Sequence, residues 1–333
     1  MQRRAFISTL TGGLLAAPLG AEAQQAGKVA RIAYVATTTP VSEMTGPDPR
    51  HPPIRQFLSA LGRLGWIEGR NLIFERRSAE GRIDRFDDIL RELVALPCDV
   101  IVTTGLRMTE AALRITSTIP IIFTALDPIT SGVVTRLAHQ GRNTTGVTGT
   151  GPEFAGKQLE LFREAVPKAR RVAVLTLSES WTSRSGSGDA LRAAASRLAI
   201  TVFYADPGPG DYARAFAAIT QERADGIYLG GSPWFYADRH RLIEWAIKNR
   251  LPLRGTTRSF VEAGALIAYS GSEAEVWGRT ANYVDRILRG TKVADLPIEQ
   301  ITKFELVINL KTAKALGLTI PQSLLGRADQ VIE

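Results

Sequence analysis

The chain of 333 residues has one cysteine and three histidines, and what these scarcities exclude narrows its chemistry. Cys98 cannot close an intramolecular disulfide, and it opens the apolar run "LPCDVIV", where a thiol is buried by default. His51, His139 and His240 are far from Cys98 and from one another along the chain. The sequence therefore shows neither a Cys–His nucleophile pair nor a His/Cys metal spacing. It also lacks a strand-linked G-x-G-x-x-G, a Walker loop and a G-x-S-x-G elbow. The nearest approach to a phosphate loop, "SRSGSGD" at 183–189, has no lysine and reads as a loop capping the next helix. These gaps predict a protein that is not an enzyme and that uses no cofactor and no metal.

Long apolar runs are absent too. No stretch of about 18 uninterrupted apolar residues could span a bilayer as a helix. Lys and Arg outnumber Asp and Glu 41 to 33, yet no basic run exceeds two residues. That scatter reads as a solvated basic surface rather than a nucleic-acid groove, so no nucleic-acid partner is expected.

What is present is ordinary globular material, 44% hydrophobic and 22% charged, at a length that suits two domains. The first residues, "MQRRAFISTLTGGLLAAPLGAEAQQ", combine charge (Arg3, Arg4), an apolar stretch from Ala5 to Leu19 and the triplet Ala21-Glu22-Ala23. This is the pattern of a signal peptide over residues 1–23, followed by a mature chain outside the cytoplasmic membrane. "RRAFI" is similar to the twin-arginine variant of that signal, so both export routes remain open. No lipobox cysteine follows, and a soluble periplasmic protein without a lipid anchor is expected.

Beyond residue 28, β-branched runs alternate with helical periodicity. "VARIAYVA", "NLIFERR", "DVIVTTG" and "IPIIFTALDP" read as strands, with a helix bearing Ile54, Phe57, Leu58, Leu61 and Leu64 on one face. "NTTGVTGTGP", 143–152, reads as a Gly/Thr-rich hinge, after which the alternation restarts with "RRVAVLTL", "ITVFYA", "ADGIYLGG", "LPLRGTT" and "ALIAYSG". Repeated β–α alternation means an α/β fold with two parallel sheets covered by helices. The expected division is 28–148 plus 272–295 in lobe 1 and 149–271 plus 296–333 in lobe 2.

Ligands gather beyond the carboxyl ends of parallel strands. The residues expected there are Thr37, Thr38, Thr103, Thr104, Gly105, Ala125 and Asp127 in the first lobe. The second offers Ser178, Trp181, Gly231, Ser232, Trp234, Arg258 and Tyr269. Hydroxyls, backbone amides, aromatic faces and an arginine form a recognition set for a small polar or aromatic molecule. Arg258 is expected to pair a ligand carboxylate. In "LGGSPWFYADR", Trp234 is weighed as pocket wall and Phe235 as core.

With those elements in place the chain resembles the ABC-transporter substrate-binding proteins related to tryptophan- and tyrosine-binding members. The resemblance is carried by "LGWIEGRNLIFERRSAEGRIDRF", "TSTIPIIFTALDPITSGVV", "GRNTTGVTG" and "LPIEQITKFELVINLKTAKALGLTIPQSLLGRADQVIE". It implies a type I periplasmic-binding-protein fold of two Rossmann-like lobes. It further implies a monomeric receptor that closes on an amino acid or aromatic solute and delivers it to ABC permease subunits in the inner membrane. Two other readings fit the same residues: a ligand-sensing protein that serves a membrane receptor, and a secreted α/β hydrolase.

Overall fold

The computed structural model describes residues 29–125, 143–149, 153–182, 187–208 and 210–333. The expected signal peptide therefore lies outside the described residues. Among those described, no helix is long and apolar enough to cross a membrane.

The first sheet has six parallel strands. They are β1 (Ala30–Ala36), β2 (Leu72–Ser78), β3 (Val100–Thr104), β4 (Ile121–Ala125), β5 (Thr144–Thr148) and, late in the chain, β11 (Glu299–Gln300). Their order is β11-β5-β4-β3-β1-β2. The side-chain period of two sends Ile32 and Tyr34 to one face of β1 and Ala33 and Val35 to the other. Both faces are buried, which accounts for the continuously apolar strand sequence. Helices Pro52–Arg63 and Glu273–Leu288 cover the Tyr34 face, while Phe86–Ala95 and Leu106–Ile115 cover the other. Helix Pro52–Arg63 starts where prolines cost no hydrogen bond, and it buries Ile54, Phe57 and Leu61 at helical spacing.

The second sheet has seven strands: β6 (Arg171–Leu175), β7 (Thr201–Ala205), β8 (Gly226–Leu229), β9 (Leu253–Arg254), β10 (Ile267–Gly271), β12 (Phe304–Asn309) and β13 (Gln330–Ile332). Their order is β13-β12-β10-β9-β8-β6-β7. Both sheets thus repeat one doubly wound order, 2-1-3-4-5, with its switch point between β1 and β3 and again between β6 and β8. Two strands depart from the all-parallel expectation, since β12 runs antiparallel to β10 and β13 follows β12.

Two sequence expectations need correction. The Gly/Thr-rich stretch read as a hinge opens with β5, whose five residues are all buried, so only its end after Thr148 serves the first crossing. Threonine is β-branched and fits a buried strand, and Gly146 lies so close to the Phe123 ring and carbonyl that no side chain would fit. Residues 296–301 were assigned to the second lobe. Leu296 and Ile301 instead belong to the first core, and β11 pairs with β5. The chain therefore passes between sheets three times: after β5, after β10 and between β11 and β12. At the second crossing Ile301 lies directly against Gly271.

Candidate functional site

The carboxyl ends of both sheets face each other, and the loops there touch. Thr38 Oγ1 donates to Pro233 O at 3.0 Å, and Trp234 Nε1 donates to Gly81 O at 3.1 Å. Arg107 pairs with Glu179 across the same gap. Gly105 and Gly81 have positive φ, 83° and 82°. They are the positions that let the loops come together: a side chain on Gly105 would press on Pro233, and one on Gly81 would meet the Trp234 indole.

The expected site residues divide according to their partners. Thr37 is buried, and its hydroxyl donates to Thr104 O at 2.6 Å, while Thr37 N approaches Thr104 Oγ1 at 3.3 Å. This pair ties β1 to β3 at the switch point. Thr103 is fully buried and shares a 2.9 Å bond with Thr109, so it is a core residue and not part of a pocket wall. Ala125 ends β4 beside Thr148, and Asp127 lies outside the described residues. Ser178 is exposed at the start of helix Ser178–Thr182. Trp181, expected in the cleft, stacks on Tyr204 of strand β7, at the sheet edge, at 5.9 Å, with Arg192 over its ring at 4.6 Å.

Gly231 is exposed, and Ser232 caps the short helix Pro233–Ala237 by accepting from Trp234 N at 3.3 Å. Asp238, just ahead of helix Arg239–Lys248, makes no side-chain capping bond and accepts the Tyr212 hydroxyl at 2.7 Å. Phe235 is 1% exposed and lies in the core. Trp234 bridges the lobes. Trp234→Phe keeps the ring and removes the N–H, a loss of about 1 kcal/mol from the closed arrangement. Small-angle scattering of W234F is expected to give a larger radius of gyration than the wild type; equal radii would show that this bond does not hold the lobes together.

Arg258 requires the clearest correction. Its guanidinium is committed to Glu305 on β12, with Nε at 2.9 Å from Oε2, so it is no free carboxylate receptor. Tyr269 lies on an aromatic shelf near two of the chain crossings. Its ring is 6.2 Å from Phe154 and 6.0 Å from Phe304, and those two stack at 4.3 Å. Phe304 sits on β12 yet packs against the first core, so the shelf joins the two halves.

The loops also gather residues that sequence reasoning passed over. His51, just ahead of helix Pro52–Arg63, is 6% exposed; its Nε2 is 3.2 Å from Thr39 Oγ1 and its ring meets Tyr236 edge-on at 5.7 Å. Burial, then the charge of Arg239, pushes the imidazole down to about 4, so it is neutral at pH 7. Burial, then Glu273, pushes the Tyr236 phenol up to about 12. Burial also raises the Glu273 carboxyl, against the pull of the Ser259 hydroxyl that donates to it at 2.9 Å. His51 Nδ1 is buried with no hydrogen-bond partner among the described residues, and the Tyr236 and Thr257 hydroxyls lie against Ser259 and Glu273. Imidazole, phenol, hydroxyls and carboxyl together offer donors and acceptors to a polar group at the loop ends. No periodicity or motif announces them, because their partners lie far away in sequence.

The described residues also frame two cavities, of about 470 and 280 Å³, beside Asp99, Pro120 and Asn143 and beside Asp225 and Pro252. Both sit at the amino ends of the strands, away from the loops where parallel sheets bind ligands, and neither borders the cleft.

Two doubly wound sheets with facing carboxyl ends, joined by three crossings, define a two-lobed binding protein of the type I periplasmic class. The model of the ABC transporter substrate binding protein family matches residues 47–332, and the chain belongs to that family. A tyrosine-binding protein of Clostridioides difficile is 27% identical over 267 residues, 79% of this chain and 75% of that one. A solved structure of a conserved domain protein from Vibrio cholerae superposes with TM-score 0.78 at 27% identity, covering 91% of this chain and all of the other. A Streptococcus pneumoniae ABC domain solved in complex with L-Trp gives 0.76 at 23% identity, covering 91% of this chain and 99% of that one.

Proposed function

We propose that the chain is the periplasmic solute-binding component of an ABC importer, acting as a monomer. It captures an amino acid or other small aromatic solute between its lobes and delivers it to the permease. The observation that carries this reading is the aromatic shelf of Phe154, Tyr269 and Phe304, which joins the two lobes near the chain crossings. The tyrosine-binding relative supports the ligand class. Contacts made to both lobes only when they are closed would shift the open–closed equilibrium and signal occupancy to the permease. On this reading Thr38, Gly231, Ser232, Trp234 and Tyr269 are the sequence-chosen residues at the mouth, and export depends on the amino-terminal signal.

Saturating ligand stabilises the folded chain by RT ln(1 + [L]/Kd), about 2.7 kcal/mol at a hundredfold excess over Kd. For lobes of this size that is a rise of roughly 5–10 °C in the unfolding midpoint. Thermal-shift screening is expected to show it with L-tyrosine, L-tryptophan or aromatic acids. A response to sugars or polyamines alone would overturn the ligand class.

A further inference from the structure

Two charged residues are buried among those described, and their surroundings differ. Asp285 accepts from Arg289 Nε at 2.7 Å and Trp66 Nε1 at 2.9 Å, so its charge is compensated. Arg254, at the carboxyl end of β9, is 3% exposed, and no carboxylate among the described residues pairs with it. Nη1 donates to Leu229 O at 2.7 Å, and the guanidinium carbon sits 4.5 Å over the Tyr228 ring. Nε is buried without a partner. Of five N–H donors, one is used by a described residue.

Its place in the sheet points to the cleft. Arg254 is in register with Tyr228 on β8 and with Ile267 on β10, which puts the three side chains on one face. The side chain runs toward the strand end, because it reaches Leu229 O at the last residue of β8. The Tyr228 hydroxyl donates to Gln158 Oε1 at 2.5 Å, and Gln158 Nε2 donates to Tyr269 O at 2.8 Å. The arginine is therefore linked by direct contacts to the strand that carries the aromatic shelf. Burial pulls its pKa below the ordinary guanidinium value, against the neighbouring Tyr228, and even so a guanidinium stays charged. A buried charge normally persists only with an opposite charge to satisfy it. Ring face and carbonyl supply dipoles but no countercharge.

We infer that Arg254 is an anion-binding residue of the solute site, taking the carboxylate of a small organic acid or amino acid through its unused N–H donors. The inference deepens the solute-binding reading and rests on it. A planar guanidinium matches a carboxylate in two parallel hydrogen bonds, and the low local polarity strengthens them.

The test is a thermal-shift comparison of the full chain and Arg254→Met with benzoate, acetate, L-tyrosine and their neutral amides, at matched sodium chloride. At least one carboxylate is expected to raise the wild-type midpoint while its amide does not, and R254M is expected to lose that response. Without ligand, R254M should melt at or above the wild-type midpoint, by about 2–4 °C for each roughly fivefold gain in folding equilibrium. A purely structural arginine predicts the reverse: a lower midpoint and an unchanged carboxylate response, which overturns the proposal. Amides that stabilise as well as acids also overturn it, while leaving solute binding intact. Aliphatic acids that stabilise where every aromatic compound fails would support Arg254 and remove the aromatic reading. Should R254M not fold, the wild type decides alone: carboxylates no better than chloride overturn the proposal.

Discussion

Trp277→Ala is expected to lower the free energy of unfolding by about 3–5 kcal/mol, the cost of emptying a large buried aromatic site. Trp277 is 6% exposed, on the helix Glu273–Leu288 that enters straight after the second crossing. Its ring lies 5.9 Å from Tyr34 and 5.8 Å from Phe57, and Phe74 closes the group 6.0 Å from Phe57. Four rings from two strands and two helices share one space, so neighbours cannot collapse into the gap without breaking their own contacts. Urea unfolding of W277A against Ile73→Ala, a site 38% exposed on β2, measures it. The surface change is expected to stay within about 0.5 kcal/mol. Equal losses would show that the aromatic group does not organise the first core.

Acid is expected to weaken the fold through His51. Its folded pKa is lowered to about 4 from an ordinary 6.5, by burial and then by Arg239. A lowered pKa means the unfolded chain takes the proton first as pH falls. The stability due to neutral His51 is thus complete above about pH 6.5 and lost progressively down to about pH 4. A shift of this size corresponds to on the order of 3 kcal/mol. Carboxylates titrate over part of the same range, so the informative quantity is the difference between the wild type and His51→Gln. The two pH–stability curves are expected to converge toward pH 4.5 from a wild-type advantage at pH 7.5. Parallel curves would mean that His51 titrates normally in the folded protein.

Much of the architecture is legible in the sequence because most of the longer strands are β-branched runs and most of the longer helices carry their apolar residues at helical spacing. Those are local signals. β5 escaped because its glycine and threonines resemble a linker until Phe123 is known to lie against Gly146. The antiparallel β12 and the excursion of β11 escaped because no local pattern encodes strand order. The site was harder still. Arg254 and Arg258 stand four residues apart in "LRGTTR", and nothing in that string says which is free. The outcome is set by Glu305, 47 residues after Arg258, which takes one and leaves the other. An arginine embedded in the apolar run "LPLRG" was the available clue. Trp234 lies in the short helix after β8, and only the approach of Gly81 shows that its indole N–H is occupied.

The late return of the chain governs how the molecule can be made. Strand β11 completes the first sheet, and β12 and β13 complete the second, so each waits for residues 299–332 to be synthesised. Thr145, on β5, donates to the carbonyl of Leu296, which emerges 151 residues later. Neither half can mature as an independent amino-terminal unit, since contacts this distant form only after long loops have closed. The nascent polypeptide consequently cannot finish either sheet until this segment has emerged, and loss of residues 299–332 takes strands from both halves at once.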